Sequence, residues 1–414
     1  MQYQAILING GTFGKRVKRE LEKNGLTKVL LIEQNKELRR ANAIAKTLFH
    51  AAATSVQRRD YYYDYAISIP QELPDWEILR TSIRAKLKQA NECEGIEPDE
   101  IWTEEVQIDQ TTVKIAEQTY QTDILILIKK EIAKVKTTFD NLYLSLLDKE
   151  RLPKRWVLLG EDQKTVEAAS ILADLGCKVY IVSESPTLLP SKETNLQENI
   201  KSILLDKGVS IFLQTKIKQI DTVADRQTLV ILEANEIEQQ IQTIEYILKE
   251  TTYSLTEQKL DTGKYIEICS PETRIGRAET DLLQILIPNL IWPKSKFFAI
   301  PTFIYTNPAA AYVGYTEEEA RNHNYLVRTS NPRFRGLFYS VCKSKIPTDY
   351  KLVIATEEKD FIQEEKVIGI HLFGTSSCDI IKGFAIAMYC EISPEELLKT
   401  LPIHPTSAEE LITG

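Results

Sequence analysis

Two stretches of this chain repeat one local pattern: a short apolar run, a turn, a helix ended by glycine, and a second apolar run. In the first, Ala5–Ile8 leads into a glycine-rich turn from Asn9 to Gly14. Phe13, Val17 and Leu21 then recur at helical spacing, Gly25 stops the helix, and Val29–Ile32 is closed by Glu33. In the second, Trp156–Leu159 is followed by Gly160, an Ala-rich helix over Val166–Leu175, Gly176, and Val179–Val182. A strand–helix–strand unit of this size is half of a dinucleotide-binding fold. Neither unit is flanked by material that could stand alone, so one such domain is inserted into the other.

The length of 414 residues exceeds one ordinary domain. A helical pattern runs through Ala41–Val56, residues 58 to 76 are turn-like, and a third region starts at about Lys296. That region alternates strands (FFAIPTFIYT, KVIGIHLFG) and then carries a helix, Ile380–Glu391, with Ile380, Phe384, Ala387 and Met388 on one face. A net charge of −8 argues against a nucleic-acid partner. The apolar stretch Leu282–Pro293 is too short to span a bilayer, and the N-terminus lacks signal-peptide features, so a cytoplasmic chain is expected. The six cysteines (93, 177, 269, 342, 378, 390) form no CxxC or CxxxxC pair, and no His/Asp/Glu spacing points to a metal.

Four segments together resemble the flavin-dependent pyridine nucleotide–disulfide oxidoreductases: YQAILINGGTFG with Glu33; RLPKRWVLLGEDQKTVEAASILADLGCKVYIVSESPTLLP; AIPTFIYTNPAAAYVGYTEEEA; and KVIGIHLFG through HPTSAEELIT. The resemblance implies an α/β chain of two Rossmann-like domains plus an α+β dimerisation domain. An FAD-type domain over 1–150 would be completed by 256–294, with an NAD(P)-type domain inserted at 151–255 and the dimerisation domain at 295–414. It further implies a homodimer, with FAD and NAD(P) as the family's cofactors.

The site residues are less regular than the scaffold. In the first loop, Asn9 replaces the first glycine, and Gly10, Gly11 and Gly14 remain. Glu33 stands where an acid would accept the adenosine ribose hydroxyls. This loop either binds an adenine dinucleotide still or is retained because the fold needs the turn. In the second loop only Gly160 is glycine. Asp162 puts a carboxylate where pyrophosphate would approach, which argues against NAD(P). The family's CxxxxC loop is missing ahead of the helix Lys46–Ser55, so disulfide reduction by the family mechanism is ruled out. Segments that in the family touch FAD read TDILILIKKE and TRIGRAETDLLQIL here, which removes expected FAD contacts.

By resemblance, His404 and Glu409 match the family's acid/base pair, the His acting across the dimer. Without a dithiol they are expected to be vestigial, with Thr406 and Glu409 serving as a capping box for the last helix. The Tyr61–Tyr62–Tyr63 cluster reads as aromatics at a domain seam, and His50 and His371 as core or cap histidines. Three functions stay open: a non-catalytic or regulatory dimeric scaffold for an unidentified protein or small-molecule partner, an FAD/NAD(P)H oxidoreductase with a non-disulfide acceptor, and an adenine-dinucleotide sensor.

Overall fold

The computed structural model describes residues 1–9, 11–34, 41–56, 64–66, 73–93, 99–103, 105–129, 142, 146–223, 226–232, 238–243, 245–247, 254–260, 263–269, 286, 301–336, 339–342, 347–359 and 362–413. Two compact units are present: Met1–Thr47 with Asp75–Leu152 and Leu248–Ile291, and Leu48–Pro74 with Pro153–Ile247 and Trp292–Gly414. The Tyr61–Tyr63 cluster and Gly10 lie outside the described residues.

The first unit is built on a sheet in the order Ser254–Leu260, Gly263–Cys269, Gln118–Lys129, Gln2–Ile8, Val29–Glu33, Glu100–Trp102. Neighbours along that order are parallel except the outer pair Ser254–Leu260 and Gly263–Cys269; off it, Thr112–Ile115 pairs antiparallel with both Gln118–Lys129 and Gln107–Asp109. Gln2–Ile8 is central, and Ala5, Ile6, Leu7 and Ile8 are all fully buried. A parallel strand covered on both faces needs apolar residues at every position, which is why Ala5–Ile8 and Val29–Ile32 read as unbroken apolar runs. The helix Gly11–Lys23 lays Val17 and Leu21, both fully buried, against this unit's core. A further helix, Trp76–Cys93, has no counterpart in the sequence reading. Its apolar positions are diluted by charge, and Ile78 is 67% exposed.

Among the described residues the second unit contains three sheets. One is a parallel sheet in the order Glu245–Ile247, Arg155–Leu159, Lys178–Val182, Ser210–Phe212. Another is the antiparallel trio Lys216–Val223, Arg226–Leu232 and Glu238–Thr243. The third is antiparallel throughout: Thr302–Ile304, Ala310–Gly314, Ile362–Phe373, Thr348–Lys359, Leu326–Ser330, with Arg333–Phe334 also on Thr348–Lys359. Thus the chain is α/β, with two Rossmann-like units and a C-terminal α+β domain. Among the described residues no helix is long and apolar enough to cross a membrane.

The helix expected over Ile380–Glu391 differs from expectation in extent. It runs Ser377–Tyr389, so its N-terminus lies three positions earlier than the apolar pattern implies. Met388 is buried and Ile380 and Phe384 pack against the domain's own core of Tyr350, Leu352, Ile370 and Leu372. The outward residues are Ile386 and Tyr389. The helix is apolar nearly all round, so periodicity alone does not say which side faces the sheet.

Two glycines fix the third sheet's register. Gly314 pairs with Gly369 across antiparallel strands. A Cβ on Gly314 would stand 2.1 Å from the Ile368 carbonyl oxygen, and one on Gly369 would stand 2.0 Å from that of Tyr315. Gly314 also has φ 82°, in the left-handed region. Gly314→Ala combines both penalties. It is expected to lower the stability of the second unit by about 3 kcal/mol or more, read as a fall in urea midpoint at unchanged slope.

Candidate functional site: two crevices and a polar seam

In the first strand–helix–strand unit the chain turns at Asn9, whose φ of 62° is left-handed, the conformation Asn tolerates best after Gly. Its backbone N–H donates to the Ile32 carbonyl at 2.8 Å. Gly11 opens the helix Gly11–Lys23. Gly14 is buried, and a Cβ there would meet Leu31 Cδ2 at 3.5 Å, ordinary contact distance. Glu33 ends its strand at 4% exposure, and its carbonyl accepts the Thr103 N–H at 3.1 Å. Asn9, Gly11, Gly14 and Glu33 therefore lie on the elements that form such a crevice. Their fit to the adenine half of a dinucleotide rests on that placement.

The second unit uses its helix start differently. Gly160 has φ 137° and donates its N–H to Val182 O at 3.0 Å. Asp162 is the N-cap of the helix Gln163–Asp174: its Oδ1 accepts the Thr165 backbone N–H at 2.9 Å and the Thr165 hydroxyl at 3.0 Å. Glu161 accepts the Ser183 hydroxyl at 2.6 Å, which ties the loop to the end of the next strand. A helix N-terminus attracts one anion, through free N–H groups and the helix dipole. Here that anion is Asp162. The Asp162 carboxylate thus occupies the capping position at the start of this helix.

The helices of this unit carry a set of polar bonds to the C-terminal sheet that no sequence motif announces. Gln163 Nε2 donates to the Phe303 carbonyl at 2.7 Å and to Glu167 Oε1 at 2.8 Å, and Glu167 also accepts the Tyr305 N–H at 3.0 Å. Asn195 and Asn199 donate to the two carboxylate oxygens of Asp349 at 3.0 and 2.9 Å. Lys351 Nζ lies 2.7 Å from Glu193 and 2.8 Å from Glu317. Glu193 in turn accepts the Glu317 N–H at 2.8 Å and caps the helix Thr194–Asp206.

Burial alone would raise the Glu193 pKa, but the Lys351 bond and the Glu317 N–H outweigh it and hold it below the usual carboxylate range. Glu317 is lowered by Lys351 and then by Arg321. Burial works against the Lys351 charge, yet the two carboxylates raise its pKa. His371, fully enclosed beside this group, is lowered by burial, and its Nε2 pairs with the Tyr315 carbonyl at 2.9 Å. It is a core histidine. His50 lies on the helix Ala41–Val56 and is exposed.

Among the described side chains, Cys177, Cys342, Cys378 and Cys390 form no disulfide. Burial raises Cys177 to about 12, and it raises Cys342 and Cys378 as well, so these three are not ready thiolates. No group of three or more His, Cys, Asp or Glu is placed to hold a metal among the described residues. At the C-terminus His404 Nδ1 lies 2.9 Å from Glu409 Oε1 and 3.1 Å from Oε2, with the His404 side chain 81% exposed. The same Glu409 oxygen accepts the Thr406 N–H at 3.4 Å, just ahead of the helix Glu410–Thr413. One carboxylate thus serves both the turn and the imidazole.

Comparison with known proteins agrees with this architecture. Residues 155–236 match the family model of pyridine nucleotide-disulphide oxidoreductases, and residues 300–413 match that family's dimerisation domain. Both matched segments thus fall within models of that one family, and the dimerisation-domain match follows the other along this chain. It is 27% identical over 298 residues to a glutathione reductase of Debaryomyces hansenii, and 27% identical over 299 residues to that of Yarrowia lipolytica. A mercuric reductase of Lysinibacillus sphaericus is 21% identical over 295 residues. Each match covers 64% of this chain. The matched part spans only 60%, 62% and 53% of those relatives.

Lys351 is the cation that two carboxylates share. Lys351→Met is expected to cost about 3 kcal/mol at pH 7, because it leaves Glu193 buried and unpaired. Both carboxylates have depressed pKa values, so the stability they lend is present above about pH 4.3 and is lost as pH falls through their folded values. In the variant, unpaired Glu193 takes up a proton more readily. The gap between variant and wild type should therefore shrink from pH 7 to pH 4 in urea titrations, and a constant gap would mean that Lys351 does not act through these carboxylates.

Proposed function

We propose that this chain is a homodimeric scaffold of binding or regulatory function, a pseudoenzyme of its family that does not reduce disulfides with NAD(P)H. The observation that carries the reading is Asp162, which caps the helix that would otherwise receive the pyrophosphate. The absence of a CxxxxC pair from the sequence supports it independently. His404 and Glu409, in this reading, hold the turn into the last helix and have no thiol to serve. The inserted domain at 151–255 and the dimerisation domain at 295–414 then act as framework.

The expected outcome is the absence of NADPH-dependent reduction of glutathione disulfide, lipoamide or an aromatic disulfide, together with no saturable NADH or NADPH binding to millimolar concentration. Turnover above a free-flavin blank would overturn the proposal. Asp162→Gly, which frees the helix start, should admit measurable NADH binding in calorimetry.

Homodimerisation is supported by the dimerisation-domain match and by the apolar residues left outward in that domain. Ile386, Tyr389, Leu398, Leu401 and Ile403 are all exposed, Leu401 at 88%. Covering them against a second copy would remove that surface from water. Light scattering should return about twice 47.3 kDa at micromolar concentration. Ile386→Asp should yield a folded monomer. Phe384→Asp, aimed at the domain's own core, should unfold it instead. A monomeric wild type would remove this part of the proposal.

A second reading keeps a ligand: the first unit as a sensor for an adenine dinucleotide, FAD included. Asn9 in the left-handed conformation, Gly14 and buried Glu33 favour it. If FAD binds here with its isoalloxazine ring intact, the purified protein is yellow, and hydride transfer to a non-disulfide acceptor becomes available to it. A colourless protein whose thermal stability is unmoved by FAD or NAD retires this reading.

A further inference from the structure

Asn9 does more than turn the chain. At its position a glycine would present no side chain, whereas the Asn9 carboxamide makes two bonds to one residue. Its Oδ1 accepts the Gln34 backbone N–H at 3.0 Å, and its Nδ2 donates to Gln34 Oε1 at 2.9 Å. The two parent strands are parallel neighbours in register, Ile8 beside Ile32. The Asn9 side chain therefore spans from the end of the first strand to the residue immediately after Glu33. Glu33 itself is only 4% exposed.

In a strand–helix–strand unit of this kind, the gap between the ends of those two strands is where an adenosine ribose reaches the acid that closes the second strand. The Asn9–Gln34 pair lies across that gap. We propose that it is a latch: it closes the first crevice to adenine nucleotides in the free protein, and the work of opening it sets how tightly they bind. This rests on the reading of the first unit as an adenine-nucleotide site. Apparent affinity falls by the fraction of molecules in the open state. Breaking two neutral hydrogen bonds, partly repaid by water, is worth about tenfold in that fraction.

The latch can be removed without disturbing the turn, because glycine adopts positive φ more readily than asparagine. The full chain and its Asn9→Gly, Gln34→Ala and Glu33→Ala variants are titrated with FAD, ADP and AMP by calorimetry. Amide exchange at Gln34 is followed in the same preparations. Asn9→Gly is expected to bind FAD and ADP about tenfold more tightly than wild type and to speed Gln34 exchange. Gln34→Ala should gain a smaller factor, and the double variant Asn9→Gly, Glu33→Ala should lose the gain. If wild type binds through Glu33 and Asn9→Gly binds no more tightly, the latch is wrong while the reading of the site stands. If neither wild type nor Asn9→Gly binds any of the three at millimolar concentration, the reading of the site fails and the latch fails with it.

Discussion

The ammonium group of Lys351 joins three separate pieces of the second unit. It stands on the strand Thr348–Lys359, beside His371 of the neighbouring strand. It bonds Glu193, which starts one helix, and Glu317, which starts another. Removing such charges from water is costly, and the cost is met only if each finds partners in fixed positions. Glu193 meets that condition with Lys351 and the Glu317 N–H together. Arg321 bonds Glu317 at 2.7 Å as well, so the two carboxylates face two cations, and the Glu317 N–H at the helix start adds to the support of Glu193. The orientation of the parallel-sheet part against the C-terminal sheet follows from those fixed partners. The Gln163–Phe303, Glu167–Tyr305 and Asn199–Asp349 bonds then complete the same seam.

Side chains satisfying helix starts recur through this unit. Asp162, Glu193, Thr316 with Glu319, and Ser393 with Glu396 each cap a helix. Three of these caps are structural economy. The fourth, Asp162, falls on the one helix start that the fold would otherwise offer to a phosphate, and the same local bond becomes a statement about ligands. In the first unit the analogous loop is tied through Asn9 and Gln34 by neutral groups, a weaker barrier to an anion than a carboxylate. The two loops are thus tied by different chemistry, one by a carboxylate cap and one by a pair of amides.

Much of the scaffold was legible in the sequence because parallel strands covered on both faces, such as Ala5–Ile8 and Trp156–Leu159, leave unbroken apolar runs between glycines. Asn9 at positive φ was legible for a similar reason: few other side chains suit that turn. Asp162 was read only as a repulsive charge, whereas its cap on Thr165 explains why the helix keeps it. The Glu193–Lys351–Glu317 group left no local signal, since its members come from distant elements and each looks like a surface charge. The face of Ser377–Tyr389 that carries Ile380, Phe384 and Met388 was legible from its spacing, whereas the outward Ile386 and Tyr389 were not, because they are apolar too and only the sheet beneath decides which side is inside. The helix Trp76–Cys93 was missed because its apolar positions alternate with Glu77, Arg80 and Arg84.

The facing glycines 314 and 369 bear on how the C-terminal sheet finds its pairing. Sliding the strand Ala310–Gly314 by one residue along Ile362–Phe373 would bring a side chain into a space that has room only for hydrogen. It would also turn buried Ala311 and Val313 to the opposite face. Long antiparallel strands with apolar residues on both sides are prone to such slips, and to pairing with the wrong copy during folding. A pair of missing Cβ atoms excludes the misaligned sheets by collision, with no attractive contact needed to favour the aligned one.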